Sequence, residues 1–107
     1  MLLIAEVWLE VLMKLRVVIE QVERHDRELG KQLRRCGASV ALNIAEGSGA
    51  RGKNRGARYN IALGEARETR TALRVAHAFG YVTTIDPAAL DGIDRTIATL
   101  VKVIRRG

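Results

Sequence analysis

The sequence predicts an all-α protein, an antiparallel up-down-up-down four-helix bundle that forms a single domain over residues 1–107. Three observations predict this fold class. Four stretches carry apolar residues at alternating steps of three and four, which is the spacing of helices that pack together. The chain has one proline and only 4% aromatic residues. Its length suffices for one hydrophobic core and not for two.

The first stretch is predicted to be a helix with a continuous apolar stripe. That stripe consists of Ile4, Trp8, Val11, Leu15, Val18 and Val22. Met13 and Val17 fall roughly opposite the stripe when each residue is advanced by about 100° around the helix. A second apolar spot on an otherwise polar face predicts an oligomer interface at Met13 and Val17.

The second helix is predicted to run from about Leu29 to Glu46, with an inner face formed by Leu29, Leu33, Cys36, Val40 and Ile44. Asn43 lies at the edge of this face, so we expect it to form hydrogen bonds inside the bundle. Glu46 is expected to take part in an internal ion pair. Gly47 is predicted to adopt the left-handed conformation that commonly ends a helix.

Residues 47–56, GSGARGKNRG, are predicted to form a flexible basic connection. Within them, residues 47–54, GSGARGKN, come within one residue of the phosphate-loop pattern of nucleotide-binding proteins. However, Asn54 stands where that pattern requires serine or threonine, and the segment follows a helix, whereas the pattern requires a strand. The spacing therefore does not predict an ATP or GTP site.

The last two helices follow the same rule of spacing. The third has the stripe Tyr59, Ala62, Ala66, Thr69, Leu73 and Ala76, and it is expected to end at Gly80. Asp86 and Pro87 are typical of a helix start, since aspartate accepts free backbone N–H groups and proline has none to lose. The fourth stripe, which closes the bundle, consists of Leu90, Ile93, Ile97, Leu100 and Ile104.

The positive charge is concentrated in one part of the chain. The net charge is +6, and residues 51–74 hold seven basic residues against only Glu65 and Glu68, a net +5. These bases are the candidate phosphate contacts of a nucleic-acid-binding protein: Arg51, Lys53, Arg55, Arg58, Arg67, Arg70 and Arg74. The alternative is a scaffold or adaptor whose main partner is another protein and whose basic face is incidental.

Nothing in the sequence predicts an enzyme, a metal site or a cofactor. His25 and His77 are isolated, and Cys36 is expected to be a small buried thiol. Glu65 and Glu68 are expected to pair with the arginines of their own helix. Charged residues interrupt the apolar N-terminal stretch too early for a membrane span, so the expected location is the cytoplasm.

Several segments, taken in order, resemble a known family. They are Val7-Trp8, Gln32 to Arg35, Ser39-Val40, Asn43 to Gly47, Ile61 to Gly64, Glu68, and Gly80 to Val82. In this spacing they are similar to the bacterial four-helix bundle proteins encoded by intervening sequences of large-subunit (23S) ribosomal RNA genes. The accessory variability determinant proteins of diversity-generating retroelements are a more distant match.

This resemblance carries its own expectations. It implies a homopentameric ring of four-helix subunits, with Asn43, Glu46, Gly47 and Glu68 as structural residues of the family motif. For the retroelement branch it implies a basic surface that binds nucleic acid and a reverse transcriptase partner. Which branch the chain belongs to, and whether it binds RNA or DNA, stay open at this point.

Overall fold

The computed structural model describes residues 2–106, which form four helices, each antiparallel to the helix before it. The helices are α1 (Leu2–His25), α2 (Arg27–Gly49), α3 (Lys53–Ala78) and α4 (Pro87–Arg106). Each helix packs against two neighbours, in the cyclic order α1, α2, α3, α4, and α2 and α3 share the most extensive contact. The predicted all-α four-helix bundle is confirmed.

The predicted apolar stripes form the core. All six stripe residues of α1 are buried, as are the six of α3. The indole N–H of Trp8 donates a hydrogen bond of 2.8 Å to the carbonyl oxygen of Gly37, so the largest buried ring also satisfies its polar group. In α4 the stripe is buried at Ile93, Ile97 and Leu100, whereas Leu90 lies at its exposed edge.

The end of α2 differs from the prediction. The helix continues through Gly47 to Gly49, and Ala50 ends it in an extended conformation. Within residues 2–106 only Gly52 and Gly80 have a positive φ, so the expectation of a left-handed Gly47 is wrong. The glycine is required here by packing and not by its backbone conformation, because a side chain at Gly47 would overlap the ring of Tyr59 in α3.

The connection between α2 and α3 is also shorter than predicted. It consists of Ala50, Arg51 and Gly52, and Gly52 has a φ of 60°, a conformation that glycine adopts without a side-chain clash. The expectation of a ten-residue flexible basic segment is therefore wrong. Lys53 and Arg55 belong to the first turn of α3.

The remaining helix ends agree with the sequence signals. At the end of α3 the N–H of Tyr81 bonds to the carbonyl of Ala76 (2.9 Å), and that of Gly80 bonds to His77 (3.0 Å). This pair of bonds is the Schellman motif, with Gly80 in the positive-φ position. At the start of α4 the Asp86 carboxylate accepts the N–H of Ala88 at 2.9 Å.

The contact at Gly47 leads to a stability prediction. Gly47→Ala should lower the free energy of unfolding by about 1–3 kcal/mol, because the new methyl group forces the Tyr59 ring to move. Gly64→Ala is the matched control, since Gly64 is an exposed position within α3 and nothing lies near the added methyl group. This substitution should raise the free energy of unfolding by about 0.5–1 kcal/mol. Urea unfolding of both variants measures the difference. Equal stabilisation by both substitutions would contradict the packing argument.

Candidate nucleic-acid interface

The seven predicted phosphate contacts all lie on the surface. Arg51 is in the connection between α2 and α3, and the other six are in α3. Six are exposed and Arg70 is half-buried. Among residues 2–106 Arg70 is the one member of this set in an ion pair, with its guanidinium 3.2 Å from the Asp94 carboxylate of α4.

These bases do not form one continuous surface. Arg58 and Arg67 are nine residues apart, which places them about 180° from each other around α3. The contacts agree with this separation. Arg58 donates a hydrogen bond of 3.3 Å to the Asn43 amide oxygen of α2, whereas Arg70 reaches Asp94 on the opposite side, in α4. The sequence-predicted set is therefore divided between two flanks of α3.

Arg67 and Arg74 form the flank of α3 on the side of α4. They are seven residues apart, so they project in nearly the same direction. Both are exposed, and neither has a carboxylate within 4.0 Å among the residues that the structure describes. Two of the three arginines on this flank are thus accessible, while Arg70 between them is paired with Asp94.

A denser cluster of bases lies at one end of the bundle. The antiparallel arrangement places the start of α3 beside the last turns of α4. We call this cluster the basic end; it consists of Arg51, Lys53, Arg55, Lys102, Arg105 and Arg106. All six are exposed, and within residues 2–106 none is in an ion pair. Two carboxylates, Glu6 and Glu46, belong to the helix ends on the same side.

A pocket of about 330 Å³ lies within the basic end. It is lined by Gly52, Arg55, Gly56, Tyr59, Val103, Ile104 and Arg106. Gly52 provides no side-chain hydrogen bond to the start of α3, so the first backbone N–H groups of this helix lack a side-chain cap. These N–H groups carry the positive end of the helix dipole, which adds to the charge of the two arginines.

The bases of α4 were not among the sequence-predicted contacts. Lys102, Arg105 and Arg106 are favourable at the negative end of a helix dipole, and that role alone explains them within α4. The topology gives the missing signal, since in an up-down-up-down bundle the last turn of α4 lies beside the first turn of α3. The same reasoning could have found Arg106 from the sequence.

Two residues of the family motif connect α2 with α3. Asn43 donates from its amide to Ser39, 2.9 Å from the backbone carbonyl and 3.0 Å from the hydroxyl oxygen, and it accepts from Arg58. Glu68 accepts a hydrogen bond from the Gln32 amide and lies 3.9 Å from the Arg35 guanidinium. The internal hydrogen bonds expected of Asn43 are present.

The expectations for the other glutamates need correction. Glu46 is exposed, and no cationic group lies within 4.0 Å of it in the described chain, so the expected ion pair is absent there. Glu68 pairs with Gln32 and Arg35 of α2, whereas an ion pair with an arginine of its own helix was expected. Glu65 also lacks the expected ion pair within residues 2–106, and its buried oxygen Oε2 has no hydrogen-bond partner there. Cross-helix packing, which local spacing does not show, decides these partners.

The thiol of Cys36 is buried between α2 and α3. Its sulfur lies 3.1 Å from the Thr69 hydroxyl oxygen, and burial raises the pKa of the thiol above its ordinary value. The thiolate, which is the nucleophilic form, is therefore disfavoured. In the described chain no three side chains of the metal-ligating types come together.

The candidate oligomer residues are on the outer face of α1. Met13 is 75% exposed and Val17 is 61% exposed. Leu9 precedes Met13 by one turn and is also exposed, as is Leu42 of α2. None of the four described helices combines the length and the apolar character needed to cross a bilayer.

The fold and the site are those of an antiparallel four-helix bundle protein with a cationic end. The family model of the 23S rRNA-intervening sequence protein matches residues 6–104, and the chain belongs to this family. The curated proteins contain no match to the chain.

A solved structure from Bacteroides thetaiotaomicron VPI-5482 has a similar fold. It is a protein with unknown function from the S23 ribosomal protein family, 23% identical in sequence, with a TM-score of 0.79. The match covers 94% of this chain and 97% of the other. At this identity the similarity shows the fold alone.

The contacts of Asn43 and Glu46 predict different effects of their removal. Asn43→Ala should lower the free energy of unfolding by about 0.5–1.5 kcal/mol, because it removes hydrogen bonds in a buried seam. Glu46→Ala should stay within about 0.5 kcal/mol of the natural protein, because its side chain is exposed. Thermal unfolding at several protein concentrations tests both. A larger loss for Glu46→Ala than for Asn43→Ala would overturn these assignments.

Proposed function

We propose that the protein is a non-enzymatic oligomer that binds nucleic acid by contacting its phosphates. One observation carries this proposal: the six bases of the basic end are exposed and lack ion pairs within residues 2–106. Arg67 and Arg74 extend the accessible positive charge along α3. A polyanion is the partner that such a distribution of charge favours.

The local electrostatics of α3 support the same proposal. A helix is stabilised by acidic residues in its first turn, because the dipole is positive there. The first turn of α3 has no acidic residue and instead holds Lys53 and Arg55. Each such base is unfavourable by about 0.3–1 kcal/mol in this position, and a bound phosphate would relieve the repulsion.

The oligomeric part of the proposal rests on Met13 and Val17. Both are exposed on the outer face of α1, and exposed apolar patches mark contact surfaces. The family resemblance implies five subunits. A ring would repeat the basic end in each subunit, so modest contacts could add up to useful affinity through multivalency.

The second candidate function is a scaffold or adaptor that binds another protein, such as a reverse transcriptase. The exposed residues Leu9, Met13, Val17 and Leu42 favour it, because they give α1 and α2 an apolar outer side that a protein partner could cover. In that case the bases would only keep the protein soluble. The two candidates differ in salt dependence, which is steep for phosphate contacts.

Salt dependence provides the test of nucleic-acid binding. Arg51→Gln/Arg55→Gln/Arg106→Gln should flatten the plot of log affinity against log salt by about two to three units, since about 0.7–0.9 is lost with each phosphate contact. Fluorescence anisotropy with single-stranded RNA, single-stranded DNA and duplex DNA measures the slope.

The matched control removes the same charge from the opposite end of the bundle. Arg24→Gln/Arg27→Gln/Lys31→Gln replaces three exposed bases outside the proposed interface, and it should keep the slope of the natural protein. Arg67→Gln/Arg70→Gln/Arg74→Gln tests the α3 flank, where up to two contacts are expected because Arg70 is held by Asp94. If all three variants bind like the natural protein, the adaptor function is favoured.

Assembly is tested at Met13. Light scattering behind gel filtration should show about five subunits for the natural chain, as the resemblance implies, and Met13→Glu should lower that number because a charge in an apolar interface is unfavourable. Ile61→Glu is the control, since Ile61 is exposed on α3, away from this surface. A monomeric natural protein would refute the proposed assembly.

A further inference from the structure

The pocket in the basic end lies between α3 and α4. The first turn of α3 lines one side through Gly52, Arg55 and Gly56, and the last turn of α4 lines the other through Val103, Ile104 and Arg106. Tyr59 forms the inner wall. Two guanidinium groups, the uncapped start of α3 and an apolar wall therefore share one recess.

Tyr59 shows that this recess holds an unused hydrogen-bonding group. The residue is only 2% exposed, and one edge of its ring lies against Gly47. Its hydroxyl forms no hydrogen bond among residues 2–106. The hydroxyl is not fully enclosed either, because the one fully enclosed side-chain atom without a partner in that range is Oε2 of Glu65. Tyr59 lines the pocket, and its hydroxyl is neither hydrogen-bonded nor fully enclosed in the described chain. Buried hydroxyl groups of tyrosine usually have a partner.

We propose that this pocket binds the terminal phosphate of a nucleic-acid strand, a phosphomonoester. This inference rests on the proposed function and names a specific site within the basic end. The Tyr59 hydroxyl donates to one phosphate oxygen, while Arg55 and Arg106 bind the others. The free backbone N–H groups of α3 complete the site, as helix starts commonly do for phosphate.

The shape of the recess favours a strand end over an internal phosphate. An internal phosphodiester has chain on both sides, so the strand would have to enter the pocket and leave it again. Tyr59, the one buried residue of the lining, lies at the base of the pocket, where a group attached at one point only fits. A phosphomonoester also carries more negative charge than a diester, which suits two arginines and a helix dipole. Val103 and Ile104 provide an apolar wall for the attached sugar.

The experiment compares three ligands by anisotropy and thermal shift. They are a single-stranded oligonucleotide with a 5′-phosphate, the same oligonucleotide with a 5′-hydroxyl, and adenosine monophosphate. The 5′-phosphate should improve affinity about tenfold or more, the size expected for hydrogen bonds to a charged group. Adenosine monophosphate should raise the melting temperature and compete with the phosphorylated end.

Tyr59→Phe should remove most of the preference for the 5′-phosphate, because it deletes one hydroxyl and keeps the ring against Gly47. Arg106→Gln should weaken the same preference. Because Arg106 is exposed, this variant tests the pocket even if Tyr59→Phe disturbs folding. Tyr81→Phe is the control and should keep the preference, since Tyr81 stacks on His25 at the other end of the bundle.

The outcomes separate this inference from the proposed function. Equal binding of both oligonucleotides by the natural protein refutes the terminal-phosphate site and leaves phosphate-backbone binding intact. A preference that survives Tyr59→Phe also refutes it. Binding of adenosine monophosphate without binding of any oligonucleotide supports the pocket and refutes the proposed function.

Discussion

The basic end of the bundle depends on the close approach of Gly47 in α2 to the ring of Tyr59 in α3. Because glycine has no side chain, the ring lies directly against the α2 backbone. This packing is compatible with α2 remaining helical to Gly49, and it leaves only three residues for the connection to α3. The start of α3 is thereby held beside α4, where Tyr59 becomes the inner wall of the pocket.

The polar contacts between α2 and α3 maintain this arrangement along the rest of their length. Asn43 is linked to Arg58 near the basic end, and Glu68 is linked to Gln32 farther along. Such contacts favour one alignment of the two helices, since sliding would leave buried polar groups without partners. This accounts for two residues of the family motif as structural ties, while Gly47 is explained by the space it leaves for Tyr59.

The charge distribution follows from the antiparallel topology. Lys102, Arg105 and Arg106 stabilise α4 at its negative end, whereas Lys53 and Arg55 oppose the dipole of α3. Both helices therefore bring positive charge to the same end of the bundle, and the bases of α3 do so against the dipole of their own helix. The exposed Met13 and Val17 lie on α1, outside the basic end, so the proposed assembly and the proposed phosphate binding would use separate surfaces.

The sequence alone determined the helices and their buried faces, because apolar periodicity is a local property that burial of a stripe requires. It also determined the helix start at Asp86 and the end at Gly80, since both depend on neighbouring backbone groups. Only the tertiary structure decided the role of Gly47, the partner of Glu68 and the grouping of Arg55 with Arg106. Each of these depends on which residue of another helix lies opposite. Packing between helices decides that pairing, and the spacing of residues along one helix does not reveal it.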